Sequence, residues 1–181
     1  MESSTKTLTR AALMAALTAA GAFLKFPLGA MSFTMQDMFT VLAGVLLGWK
    51  WGAASQGVYV ALGLMGLPIF TQGGGLGYVF QPSFGFLLGL IPAAALTGLL
   101  AGKGDDRRRI VFACVAGLAV MYLIGVPYMG MILNAYMGKG FSVWTIVKTG
   151  MLIYLPGDAL KVAVVAAAAP ALCRSVRRME V

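Results

Sequence analysis

The chain has 181 residues, of which 60% are hydrophobic and 11% charged, with a mean hydropathy of +0.87 and a formal net charge of +8. A soluble domain carries about 25% charged residues, so this composition excludes a water-soluble globular protein and predicts an integral membrane protein. The chain contains no histidine, which removes histidine-based general bases, most metal centres and the usual serine or cysteine triads.

Six apolar segments follow one another, predicting an all-α membrane domain without internal repeats. The first, about residues 8–26, has small residues at helical spacing: Ala12, Ala16 and Ala20 on one face, with Ala11, Ala15 and Ala19 beside it. Such spacing suits close helix–helix contact, either inside the bundle or against a partner subunit. It lacks the small-residue cleavage site and polar sequel of a secretory signal. The loop of residues 25–36 leads to the second segment, 37–47. Gly48-Trp49-Lys50-Trp51-Gly52 then reads as a tight interfacial turn with aromatic anchors before the third segment, 52–67. Both segments fall short of the ~20 residues that cross a bilayer as a helix.

The loop of residues 66–82 contains Gly73, Gly74, Gly75 and Gly77 but not the Gly-Lys-Ser/Thr ending of a phosphate loop. Taken alone it is a flexible hairpin. Tyr78, Phe80 and Gln81 in it, with Phe86 just after, also offer an apolar wall and a polar contact, the usual make-up of a small-molecule site. The fourth and fifth segments are residues 83–101 and 110–133. Between the fifth and the sixth, residues 141–148 form an amphipathic piece able to lie on the membrane surface or fold over a cavity. The sixth spans residues 156–173. Cys114 and Cys173, far apart in apolar surroundings, read as buried small hydrophobes.

Basic residues set the orientation. With a cytoplasmic N-terminus, the inner flanks hold Lys6, Arg10, Lys50, Lys103, Arg107, Arg108, Arg109, Arg174, Arg177 and Arg178, and the outer flanks only Lys25, Lys139 and Lys148. Ten against three places both termini in the cytoplasm. It also explains the positive charge as topology rather than as a nucleic-acid surface. The first loop, the third loop and residues 154–158 are then all outside, where they can converge on one outward-facing pocket.

Only two of the six acidic residues, Asp37 and Asp158, adjoin apolar spans away from the inner loop. Charge near the bilayer interior is costly and normally faces a cavity with a partner. In Tyr154-Leu155-Pro156-Gly157-Asp158-Ala159-Leu160-Lys161 the acid and the base stand at i and i+3, on one helix face. Pro156 and Gly157 ahead of it suit Asp158 as a helix N-cap. The pair is either a cap with an incidental lysine or a site for a ligand having both an amide-like face and a carboxylate.

Several stretches together resemble the BioY family, the biotin-specific substrate-binding (S) components of energy-coupling factor transporters. Thr34-Met35-Gln36 resembles its Pro-x-Thr-x-Gln element and Leu46-Leu47-Gly48-Trp49-Lys50-Trp51-Gly52 its L-L-G-x-x-x-G turn. Tyr59 with residues 63–70, GLMGLPIF, matches its Y-x-x-x-G-x-x-G-x-P-V-F run, and Gly157-Asp158-Ala159-Leu160-Lys161 its G-D-x-x-K element. Two stretches depart: Gln81-Pro82-Ser83-Phe84-Gly85-Phe86 stands where many members read Gly-Pro-Thr-Gly-Gly-Tyr, and Ser32-Phe33-Thr34 stands for Pro-x-Thr.

The resemblance implies a bundle of six transmembrane helices in a prokaryotic plasma membrane that does no chemistry on its substrate and needs no cofactor. It implies that the small-residue face of the first helix docks a transmembrane T component coupled to a pair of ABC ATPases. The biotin pocket it implies contains Thr34, Gln36, Gly74, Gly75, Gly77, Tyr78, Gln81, Phe86, Tyr154, Asp158 and Lys161. Asp158 would receive the ureido N–H groups, and Lys161 either the carboxylate or the ureido oxygen. Tyr78, Phe86 and Tyr154 would lie against the thiophane ring and valeryl chain. The glycines would serve as hinges or close-contact points. The alternatives are an S component for another vitamin, a proton-coupled permease using Asp37 and Asp158, and a membrane enzyme with an unusual Ser/Lys or Asp/Asp centre.

Overall fold

The computed structural model describes residues 2–28 and 31–178, leaving out the side chains of residues 2–4, 27, 28, 31, 177 and 178. The Arg177 and Arg178 side chains counted above, and part of the first loop, therefore lie outside the described portion. Helix α1 covers Glu2–Phe23, α2 Gln36–Leu64, α3 Phe84–Ala101, α4 Arg107–Met131, α5 Val143–Val147 and α6 Leu155–Arg178. Among the described residues, three stretches are long and apolar enough to cross a membrane: Phe84–Ala101, Arg107–Tyr136 and Val143–Val176.

The second and third apolar segments are the two arms of α2. Gly48 breaks the helix with φ 75° and ψ 179°, a conformation that costs a residue without Cβ little. The chain reverses there. A Cβ on Gly52 would stand 2.9 Å from the Gly44 Cα, so the arms cross backbone to backbone through a glycine pair. The same device continues across the bundle: a Cβ on Gly44 would meet the Ala94 carbonyl at 2.5 Å, and one on Gly117 would meet Thr97 Oγ1 at 2.1 Å. Thus α2 packs on α1 and α3, α3 packs on α4, and α6 crosses between α2 and α4. Arg10 donates to the Val176 carbonyl at 3.3 Å, which puts the start of α1 and the end of α6 at the same end of the bundle.

One expectation needs correction: the chain is not wholly α. Strands β1 (Lys25–Leu28) and β2 (Met31–Thr34) form an antiparallel hairpin, with Lys25 opposite Thr34 and Phe26 opposite Phe33. Between α4 and α6, Asn134 clasps Phe141 through two hydrogen bonds of 2.7 and 2.8 Å. This leaves the amphipathic piece folded against the bundle, with Ile146 buried and Val143 and Trp144 exposed. Cys114 and Cys173 are both buried, and neither is in a disulfide.

Candidate functional site

The β-hairpin, the start of α2, the glycine-rich loop, the N-terminal ends of α3 and α6 and the middle of α4 enclose one cavity. Its space, counting the mouth, is about 690 Å³. The loop is packed rather than loose. Phe70 inserts where Gly63 has no side chain; a Cβ there would sit 2.1 Å from the ring. Phe70 also meets Tyr59 edge-on at 5.5 Å and Tyr78 at 4.7 Å. The Gly75 N–H donates to the Gly63 carbonyl at 2.7 Å. From there a short turn, Leu76–Phe80, carries Tyr78 into the wall, where its hydroxyl contacts Thr71 at 2.8 Å and Ser83 at 3.3 Å.

A charge cluster lies on the α6 side. The Lys161 ammonium donates to both Asp37 oxygens at 2.7 and 2.9 Å and to Asp158 Oδ1 at 2.9 Å. The Tyr122 hydroxyl donates to the other Asp158 oxygen. Lys161 Nζ also stands 3.8 Å from the centre of the Phe33 ring, and that ring stacks on Tyr154 at 6.5 Å. Phe33 reaches this place because Gly157 leaves room; a Cβ there would be 2.3 Å from it. Asp37, Asp158 and Lys161 are only 7%, 4% and 5% exposed. Two carboxyl groups thus share one ammonium.

Of the residues singled out from the sequence, the structure brings Thr34, Gln36, Tyr78, Phe86, Tyr154, Asp158 and Lys161 together on the cavity lining. Gly74, Gly75, Gly77 and Gln81 are not on it. A Cβ on Gly74 would stand 2.1 Å from the Leu67 carbonyl, so this glycine serves the fold of the loop. The N-cap expectation for Asp158 is also corrected. Its N–H already bonds to the Tyr154 carbonyl at 3.0 Å, so it sits within the helix, and its carboxylate serves Lys161 and Tyr122 instead. The α1 alanines divide: Ala11 and Ala15 are buried and Ala19 is half-buried, while Ala12, Ala16 and Ala20 are exposed.

Sequence reading missed three contributors. Asp37 had been noticed as an acid beside an apolar span, but its partner is 124 residues away. Tyr122 lies mid-helix in α4, and only its polar tip within an apolar run could have marked it. Phe33 enters through the unforeseen hairpin. Among the described residues, no cluster of metal-ligating side chains occurs.

Comparison with known proteins gives a consistent picture. The model of the BioY family matches residues 1–178. A probable biotin transporter BioY of Lysinibacillus sphaericus is 43% identical over 143 residues, 78% of this chain and 73% of that protein. The biotin transporter BioY of Thermotoga maritima is 34% identical over 160 residues, covering 88% and 90%. Among solved structures, the S-component for biotin from an ECF-type ABC transporter superposes with a TM-score of 0.79 at 26% identity, over 99% of this chain and 93% of that one.

Proposed function

The chain belongs to the BioY family, and from that premise we infer that it is a biotin-uptake protein of the membrane: a transporter component, not an enzyme, which captures biotin in the cavity between the hairpin and α6. The observation that carries this reading is the buried Asp37–Lys161–Asp158 cluster set in an otherwise largely apolar and aromatic cavity. Biotin offers two ureido N–H donors and one ureido oxygen at one end and a carboxylate at the other. Two carboxylates flanking an ammonium match the ureido end: the acids accept N–H, and Lys161 donates to the oxygen. Two carboxyl groups already face the one ammonium, which argues against seating the ligand's own carboxylate here, since like charges in a desolvated site repel. The carboxylate then points towards the mouth, where Gln72 and Thr71 are polar. The thiophane ring and the chain lie against Phe86, Leu87 and Met121.

In this reading the six helical rods, counting both arms of α2, span a prokaryotic plasma membrane with both termini inside. The exposed Ala12, Ala16 and Ala20 face receives a transmembrane T component coupled to paired ABC ATPases. The test is equilibrium biotin binding to the detergent-purified chain beside Asp158→Asn and Lys161→Met. Tight wild-type binding, weakened by about 10- to 100-fold or more in both variants, is the expected result. A wild type indifferent to biotin would overturn the substrate, and binding unchanged in both variants would overturn the site. Uptake by the chain alone that collapsed with the proton gradient would replace this reading with a proton-coupled permease.

A further inference from the structure

Beneath the cavity lies a second buried polar group that the biotin reading leaves without a role. Thr18 on α1, Thr40 on the first arm of α2, and Ser55 and Gln56 on the second arm are each at most 1% exposed. The hydrogen-bond directions at Thr18 and Ser55 are forced. Thr18 Oγ1 donates to the Met14 carbonyl at 2.9 Å and Ser55 Oγ to the Gly52 carbonyl at 2.7 Å, using the single hydrogen of each hydroxyl. Both can then only accept. Gln56 therefore turns its amide nitrogen to them, at 3.2 and 3.1 Å, and its oxygen to Thr40 Oγ1 at 3.0 Å. The Thr40 hydroxyl is equally 3.0 Å from the Gln36 carbonyl. Gln36 lines the cavity and donates to the Tyr59 hydroxyl at 2.7 Å.

One amide with both N–H donors and its oxygen engaged thus ties three helical rods together directly under the residues that face the ligand. Buried polar networks whose members are all partnered specify a single mutual arrangement of the elements that they join, which loosely fitting apolar side chains do not. Resting on the biotin reading above, we propose that Gln56 is a positioning residue. Through Thr40 it fixes the rotation of the first arm of α2, and so the place of Gln36 and Asp37 in the ligand site.

Gln56→Met strands no buried donor, because Thr18, Ser55 and Thr40 each keep a backbone carbonyl on their own helix. The experiment measures biotin affinity, melting temperature and amide hydrogen exchange over residues 34–40 for wild type, Gln56→Met, Thr40→Val, Thr40→Ser and Ile110→Val, the last a buried residue outside both the network and the cavity lining. Gln56→Met and Thr40→Val are expected to bind about ten-fold more weakly, the scale of one lost hydrogen bond, with faster exchange over residues 34–40. Thr40→Ser restores both, and Ile110→Val lowers melting while affinity stays within about two-fold. Affinity that follows melting temperature across all variants, or a Gln56→Met that binds and exchanges as wild type, overturns the proposal. If Gln56→Met fails to accumulate, Thr40→Val against Thr40→Ser decides. A wild type that ignores biotin overturns the ligand alone, and the exchange rates then decide on Gln56.

Discussion

The α3–α4 interface and the seam along α6 hold one bundle together by opposite chemistry. Between α3 and α4 the helices meet through glycine: a Cβ on Gly89 would lie 3.0 Å from the Met121 backbone, and one on Gly85 2.3 Å from the Tyr128 Cβ. Along the N-terminal end of α6, Lys161 reaches α2 and Asp158 reaches α4 through ionic and hydrogen bonds. A backbone contact has no replaceable part. A hydrogen bond does, because a ligand bringing its own donors can substitute for the internal partner at little net cost. The closed interface supplies rigidity, and the exchangeable one supplies the site.

The largest expected effect lies on the closed side. Gly117→Leu drives a side chain into Thr97 and the Ala93 carbonyl, where a Cβ alone would stand 2.1 and 2.9 Å away. Overpacking costs about 1–3 kcal/mol where neighbours can yield and more where, as here, backbone blocks the way, enough to part the two helices. We expect the variant to lose its monodisperse peak in size-exclusion chromatography. A normal peak would mean that the α3–α4 contact has slack. On the exchangeable side, Lys161→Met leaves two buried carboxylates facing each other, and breaking a buried pair costs about 3–5 kcal/mol. Melting should fall by roughly 10 °C, and adding Asp37→Asn should recover much of that. A double variant no better than the single would show that Asp37 is not what Lys161 neutralises.

A smaller effect distinguishes the two alanine faces of α1. Ala15→Leu, pointing inward, should lower melting. Ala16→Leu, pointing outward, should leave melting and biotin binding as in wild type and abolish uptake only when the energising subunits are present. Equal behaviour of the two would remove the distinction between the faces. The smallest effect is at Lys25, which joins the hairpin to the glycine-rich loop by donating to the Thr71 carbonyl. For this exposed bond, Lys25→Ala should speed biotin dissociation only a few-fold, as followed by stopped-flow exchange. An unchanged rate would detach the hairpin from ligand retention.

These regions also differ in how far they could be read in advance. The reversal at Gly48 was legible because Gly48-Trp49-Lys50-Trp51-Gly52 interrupts an apolar run with interfacial residues. Asp158 and Lys161 were legible as a pair because helix periodicity places i and i+3 together. Asp37 was not legible as their third member, since no local period relates it to Lys161. The hairpin of residues 25–34 was missed because Pro27 sits in a four-residue strand, where proline argues against strand. Gly74 was assigned to the ligand because glycine permits close approach by any neighbour, and the sequence does not say that the neighbour is the Leu67 carbonyl. The Gln56 group left no trace, as two threonines, a serine and a glutamine in apolar helices carry no spacing rule.

The break at Gly48 has a consequence for where lipid can meet the protein. The first arm, residues 36–47, reaches only roughly 18 Å at the α-helical rise, against a hydrocarbon layer of ~30 Å. No residue of this arm is exposed, so its shortfall is walled off by neighbouring helices, and lipid would meet only the longer rods of the bundle. A rod too short to cross the hydrocarbon is tolerated where protein covers it on all sides, because its backbone ends then never face lipid.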